Sequence, residues 1–336
     1  MKVLIATTDR QKGGIERALR DHYAALSSFA DINLSILSPA GTFSDIAHQD
    51  KRPHILVQDY HRLMMRHAPF LSSLMLGRAQ FDIILCHNGF MAPALSRHTN
   101  RLIGICHNDK PQQFKACDEL ICLTKGAKDN ALSLGWDDTQ LHIIPHYQEL
   151  QKATKTISHN TPLRIGCAGR MVAKKNLALF VEIAALVKKT VPEISFHLAG
   201  DGELKGDISR LNKAKANPVI LEGWVDFESF LHTIDILIIP SLDEPFGYVF
   251  IEAMSQGVGV LATQTNGAHH CLGPEISAPL FEGHDAQGFA DEIIKLAQST
   301  SKLTALKTAC LKRASDDIFS KKTALTNWQK TLCPKG

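Results

Sequence analysis

Short runs of apolar and β-branched residues alternate with helix-length amphipathic segments along most of the chain, in two successive sets. That alternation predicts βαβ units built around parallel sheets. In the first set, strands are expected at Val3–Thr7, Asn33–Leu37, His54–Val57, Asp82–Cys86, Leu102–Cys106, Glu119–Leu123 and His142–Ile144, with helices over Ile15–Ser27, Tyr60–Leu76, Met91–Arg97 and Gly126–Leu134. Residues 148–162, QELQKATKTISHNTP, lose all apolar periodicity and end in Asn-Thr-Pro, which predicts a linker. A second set follows, with strands at Leu163–Ala168, Ser195–Ala199, Val219–Leu221, Ile236–Ile239 and Val258–Ala262 and helices near 175–189, 203–215, 226–232, 247–256 and 285–298. The 336 residues suit two domains of roughly 150 each. The expected fold class is therefore α/β, two doubly wound Rossmann-like domains over 1–150 and 151–318 that face a central cleft. Residues 319–336 are expected to form a helix packing back on the first domain.

Composition narrows the class. A charged fraction of 21% is ordinary for a globular chain, and no run reaches the ~18 apolar residues of a membrane span. The start, MKVLIATTDR, reads as a strand rather than a secretion signal, so a cytoplasmic protein is expected. Eight scattered cysteines, with Cys117 and Cys122 lacking a matching second pair, predict buried thiols and no zinc site. The net charge of +3 is too small to predict nucleic-acid binding, and it lies in residues 1–160, where 18 Lys and Arg face 15 Asp and Glu; the remainder has 19 of each.

Three segments of the second set carry candidate chemistry. In Asp235–Thr263, Glu244 precedes a helix and Glu252 lies inside it, with Pro245, Phe246, Gly247 and Tyr248 at its start. The free N–H groups of such a helix start favour an anion or hydroxyl, glycine lets a ligand come close, and carboxylates accept from vicinal hydroxyls. In Ile165–Asn176, a strand runs into Gly169 and Arg170, with Lys175 at the next helix start; one guanidinium and one ammonium there can neutralise a diphosphate without a metal. In the turns HLAGDG (197–202) and Glu222–Val225, the latter containing Trp224 and Val225, small residues after strands give a flat ligand access to backbone. In the first set, Gly13 and Gly14 form a strand-to-helix turn permitting close approach. His87 and His107 each follow an apolar strand directly, and His107 is the favoured candidate of the two.

Taken together, these segments resemble the retaining nucleotide-sugar glycosyltransferases of family 4, with the two-Rossmann GT-B architecture. The resemblance runs from the Gly13-Gly14 turn to about residue 300 and is most specific at Glu244–Glu252 (the family's E-x7-E stretch) and at Gly169, Arg170, Lys175 and Asn176. It implies an acceptor-side first domain and a donor-binding second domain. Arg170 and Lys175 would hold the donor diphosphate, Glu252 the ribose, and Glu244 with the Phe246–Gly247 backbone the transferred sugar. Gly14 would pack against the diphosphate and His107 would sit near the reacting centre. Implied with it are a nucleotide-diphosphate sugar as substrate, no cofactor or metal, transfer of a hexose-type sugar to a glycan or lipid-linked acceptor in polysaccharide or lipopolysaccharide assembly, and no nucleic-acid partner. Two other readings stay open, a nucleotide-sugar epimerase on the same architecture and a non-catalytic nucleotide-sugar-binding protein.

The chain departs from the family pattern at Gly259, where proline is usual, at Asn266–His270 in place of Gly-Gly-x-x-Glu, and at His146–Gln148 after Pro145. The second of these puts a donor contact in doubt. Residues 60–78, rich in Met and Leu with Arg62, Arg66 and Arg78 and interrupted by Pro69, read first as a helix packed on its own sheet, with a peripheral contact with the inner membrane face as the alternative.

Overall fold

The computed structural model describes residues 1–10, 13–41, 44–72, 76–77, 79–148, 160–274, 276 and 279–333. Most of the expected linker, 149–159, and Arg78 lie outside them. The chain divides into unit 1, Met1–Tyr147 with the segment from Asp317 onward, and unit 2, Gln148–Asp316.

Unit 1 is built on seven parallel strands, β1 (Lys2–Ala6), β2 (Asn33–Ser38), β3 (His54–Leu56), β4 (Ile83–Cys86), β5 (Leu102–Cys106), β6 (Glu119–Cys122) and β7 (Leu141–Ile143), in the order β3-β2-β1-β4-β5-β6-β7. All seven fall within one residue of their expected positions. They are legible because the sheet is covered on both faces, so that its central strands are apolar at every position: Ile83–Cys86 and Leu102–Cys106 are wholly buried. Alternation then divides the side chains. Leu4, Ala6, Ile84 and Cys86 enter one core; Val3, Ile5, Leu34 and Ile36 enter the other with Trp328.

The helices follow sequence less faithfully. Gly14–Ser27 forms as expected, but the helix expected over Tyr60–Leu76 runs only from Asp59 to His67. Pro69 has no N–H to continue it and begins a short 3-10 turn instead. The expected Met91–Arg97 helix is a single α turn, Ala92–Leu95, between two 3-10 turns, and a helix at Ser44–Gln49 was not expected. The helix Lys321–Leu332 is capped by Ser320, whose hydroxyl accepts from the Thr323 amide, and buries Trp328 completely. Its last carbonyls, Thr331 O and Leu332 O, accept from the Arg101 guanidinium at 2.6 and 3.2 Å.

Unit 2 carries six parallel strands, β8 (Arg164–Ala168), β9 (Ser195–Ala199), β10 (Val219–Gly223), β11 (Ile236–Ile239), β12 (Gly259–Thr263) and β13 (Leu280–Phe281), in the order β10-β9-β8-β11-β12-β13. This is a doubly wound order that reverses between β8 and β11, the switch point at which such sheets bind ligands. The first five strands were expected and the two-residue β13 was not. The five expected helices appear at Leu177–Thr190, Lys205–Ala214, Phe227–Leu231, Tyr248–Ser255 and Ala286–Ala297; Asn266–Leu272 and Thr300–Ala314 are additional. A buried ion pair ties one of them to the sheet, with Lys307 Nζ 3.2 Å from Asp235 Oδ1 and the two side chains 5% and 1% exposed.

The eight cysteines are free thiols, seven of them buried and Cys333 exposed. Among the described residues, no helix is long and apolar enough to cross a membrane.

Candidate functional site

Three loops leave the carboxyl ends of β8, β9 and β10 and are hydrogen-bonded to one another. Gly169 N donates to Ala199 O at 3.1 Å, Gly200 N to Gly223 O at 2.6 Å and Met171 N to Asp201 O at 2.8 Å. Gly200 has φ +133°, and a Cβ there would stand 2.0 Å from Gly169 O. Sequence suggested that this small residue admits a ligand; in the structure it admits the neighbouring loop. Above the interlocked loops lies a cavity of about 350 Å³ whose lining includes Gly169, Arg170, Lys175, Trp224, Val225 and Glu252. Six of the residues singled out from sequence thus meet in one place. Trp224 is 82% exposed and, with Val225, Phe227 and Val249, forms the apolar part of the wall, while Arg170, Lys175 and Glu252 supply the charge.

Lys175 ends a 3-10 turn, Ala173–Lys175, and is followed by Asn176 in the left-handed conformation (φ 52°), a residue type that tolerates it. Asn176 Nδ2 donates to Gly283 O at 2.8 Å, and Leu242 N to Lys174 O at 2.9 Å, so the turn is pinned from two sides. The Lys175 ammonium forms an ion pair with the Glu244 carboxylate, and Ser241 Oγ donates to the same Glu244 oxygen at 3.4 Å. The side chains of Lys175 and Glu244 are only 21% and 13% exposed. Glu244 is therefore joined to the cavity through Lys175, and the two act as one unit.

The helix Tyr248–Ser255 starts one residue later than expected. Gly247 is its N-cap at φ 78°, and a Cβ there would meet the Phe250 ring at 2.7 Å and Glu244 Cγ at 2.9 Å. Val249 and Glu252, three residues apart on one face, reach the cavity. Pro245, Phe246 and Tyr248 are buried; the rings of the last two meet edge-on at 5.6 Å. Their side chains hold the helix start in place, leaving backbone as what they can offer a ligand.

A brace that no local sequence pattern marks lies behind this loop. Thr265 caps the helix Asn266–Leu272, and Gly267 N donates to Glu244 O at 2.8 Å. A Cβ on Gly267 would stand 2.4 Å from Phe246 O and 2.5 Å from Glu244 O. The segment that departs most from the family pattern therefore holds the Glu244 loop from beneath. His270 is packed 5.6 Å from the Phe246 ring, and burial, helped by the Arg313 charge, pulls its pKa down to about 4. Arg313 donates to His270 O at 2.8 Å and Cys271 O at 3.0 Å, satisfying the helix's final carbonyls.

In unit 1, Gly13 caps the helix Gly14–Ser27 with φ 148°, and a Cβ on Gly13 or Gly14 would meet nothing within 4 Å. The turn is open, as close approach requires. Asn88 steadies the preceding loop: its Oδ1 accepts from Thr8 N at 2.7 Å and its Nδ2 donates to Asp9 Oδ2 at 3.1 Å. His107, after β5, does not stand alone. Its ring lies 5.1 Å from His87, 6.1 Å from His22 and 5.6 Å from His146, and the Trp328 ring stands edge-on to His22 at 5.2 Å. Burial, with the neighbouring imidazoles, holds His22 and His87 well below the ordinary histidine range, and burial takes His107 down to about 4.

These histidines make unit 1 acid-sensitive. Their folded pKa values lie below the unfolded value of about 6.5, so the unfolded chain binds more protons and stability falls as pH drops from 6.5 towards 4. The expected loss is up to about 1.4 kcal/mol per pH unit for each ring kept neutral. Hydrogen exchange, corrected for intrinsic rates, should show β4 and β5 losing protection between about pH 7.5 and 5. Unchanged protection would contradict this account.

Each unit is a parallel doubly wound sheet, and together they define the GT-B class. Residues 162–299 match the profile of the family described as glycosyl transferases group 1, which agrees with the likeness to glycosyltransferases read from sequence. The chain is 25% identical over 202 residues to the lipopolysaccharide core biosynthesis glycosyltransferase LpsE of Rhizobium meliloti, covering 57% of this chain and 58% of that protein. It is also 25% identical over 200 residues to the UDP-Gal:alpha-D-GlcNAc-diphosphoundecaprenol alpha-1,3-galactosyltransferase of Escherichia coli, covering 54% and 52%. The chain thus spans little more than half the length of these relatives. In structure it resembles Anabaena HepE in complex with UDP and glucose, with a TM-score of 0.80 and 18% identity over 100% of both chains.

Proposed function

We propose that this chain is a retaining, metal-independent glycosyltransferase that moves a hexose-type sugar from a nucleotide-diphosphate sugar to a glycan or lipid-linked acceptor. The observation carrying the proposal is the cavity at the ends of β8–β10, where a guanidinium, an ammonium, a carboxylate and an exposed indole share one wall. A nucleotide-sugar has parts matching each: a diphosphate for Arg170 and Lys175, ribose hydroxyls for Glu252, and a flat base for Trp224, Val225 and Phe227. Glu244, held beside Lys175, would accept from hydroxyls of the transferred sugar. When the bond from the sugar to the diphosphate breaks, charge grows on the departing phosphate, and the two cations stabilise it electrostatically. That the relatives include a lipopolysaccharide-core enzyme and a UDP-galactose-dependent one, and that HepE has been seen with UDP, supports a nucleotide-sugar donor and an assembling glycan.

Thermal-shift screening against UDP, GDP, ADP and their sugars should give one specific stabiliser. Glu252→Ala should then weaken binding of that nucleotide at least tenfold, or about 1.4 kcal/mol, read by calorimetry. Unaltered affinity in a folded variant would remove Glu252 from the ribose site, and donor binding without sugar transfer to any acceptor in a panel would leave a binding protein.

A peripheral membrane contact extends this reading to a lipid-linked acceptor. Tyr60, Leu63 and Phe70 are 60–63% exposed, and Arg62 and Arg66 lie between them in sequence. Apolar residues interspersed with cations suit an anionic bilayer surface. Flotation with anionic vesicles should carry the protein upward, and Leu63→Asp with Phe70→Asp should abolish it; no flotation of the unaltered chain would remove the membrane contact.

A further inference from the structure

His87 Nδ1 and His107 Nε2 are 2.8 Å apart, a direct imidazole–imidazole hydrogen bond between the ends of two adjacent strands. His87 is 4% exposed, and its other ring nitrogen, Nε2, is buried without a hydrogen-bond partner; His107 is only half-buried. The pair therefore has a closed inner end and an outer end that reaches towards the surface at the carboxyl edge of the sheet. Its surroundings are more imidazole: His22 from the helix Gly14–Ser27, 2% exposed with both ring nitrogens unpartnered, and His146 beyond β7. The charges acting on His22 and His87 are those of the other rings, and for His107 burial is the whole cause, so for these three rings no carboxylate favours the imidazolium. The His87 and His107 rings lie 21° from parallel with centroids 5.1 Å apart, nearly coplanar and end to end, as a hydrogen bond between ring nitrogens requires.

A neutral imidazole has one N–H and one bare nitrogen. In a hydrogen-bonded pair of neutral rings, whichever ring donates determines which nitrogen of the other carries its proton; an orphaned buried N–H is rarer than an orphaned acceptor, so His87 keeps its unpartnered Nε2 bare and donates from Nδ1 to His107 Nε2. We propose that His87 is a positioning residue for His107, fixing through this bond the orientation of its ring and the nitrogen that bears its proton. This rests on the reading that places His107 near the reacting centre. A ring so fixed offers a substrate oxygen one unchanging donor or acceptor; a ring free to exchange tautomers offers each only part of the time.

The test uses the full chain with 15N-labelled histidine, and long-range 1H–15N imidazole spectra between about pH 5 and 8. His107 should show a single neutral tautomer across that range. His87→Leu should give averaged His107 nitrogen shifts and lower kcat for turnover of the stabilising nucleotide-sugar about tenfold, with KM unchanged. His87→Asn, whose amide stands where Nδ1 stood, should restore the fixed shifts and bring kcat within about threefold of the unaltered protein. A wild-type His107 that already averages its tautomers overturns the proposal. So does a folded His87→Leu in which shifts and kcat are unchanged. If His87→Leu does not fold, the wild-type spectrum and His87→Asn still decide. Turnover that survives His107→Ala would instead overturn the role given to His107 in the reaction, while the spectra continue to judge the pair.

Discussion

Lys175→Ala is expected to lower kcat/KM for the nucleotide-sugar by on the order of 10²-fold, more than loss of one phosphate contact would give. The reason is the ion pair with Glu244, whose side chain is only 13% exposed. Removing the ammonium takes a positive charge from the proposed diphosphate site and at the same time leaves a poorly solvated carboxylate that would repel the donor. The double variant, Lys175→Ala with Glu244→Ala, should bind the donor nucleotide better than Lys175→Ala alone, because the uncompensated charge is gone. The coupling read from the full cycle should exceed about 0.5 kcal/mol. Strict additivity would mean that the two groups act on the donor independently, and the single-unit account of this pair would fall.

The second large effect is on stability. Asp235→Ala is expected to destabilise unit 2 by about 3–5 kcal/mol. Asp235 is 1% exposed and accepts four hydrogen bonds: from Asn160 N and Nδ2 at 3.0 and 2.9 Å, Arg164 N at 3.1 Å and Lys307 Nζ at 3.2 Å. One carboxylate therefore fastens the entry to β8, the start of β11 and the helix Thr300–Ala314. Its removal takes the carboxylate away from a buried ammonium and leaves backbone donors unsatisfied. Lys307→Met should cost less, since the three remaining donors still solvate the carboxylate. Hydrogen-exchange protection of β8 and β11 gives the measurement; a loss below about 1 kcal/mol for Asp235→Ala would show that Asp235 is not the fastening point.

The strands could be placed from sequence because burial on both faces writes them as continuous apolar runs, whereas β13, two residues long, has too little sequence to stand out. Arg170, Lys175 and Glu252 were legible because each sits beside a strand end or within a helix already marked by its neighbours. Gly267, Ser241 and Asn88 were not. Each acts on a loop distant in sequence, and no local pattern tells a glycine that seats another backbone from one that closes a turn. The helix Asn266–Leu272 was hidden by weak intrinsic preference: glycine and two histidines occupy three of its seven positions. The histidine cluster was half seen. His87 and His107 announce themselves after apolar strands, but His22 lies in an ordinary amphipathic helix and His146 beyond a short strand, and only the sheet order brings them together.

The interlock at Gly200 constrains how this site can diversify. Because the turns after β8, β9 and β10 share their backbone hydrogen bonds, lengthening one should dislodge its neighbours. If the cavity takes a nucleotide as proposed, substitution is the route to a new base preference, at side chains such as Trp224 and Val225 that line the cavity without joining the interlock. Selectivity among nucleotides should then drift by exchange of single residues while the underlying chain path stays put.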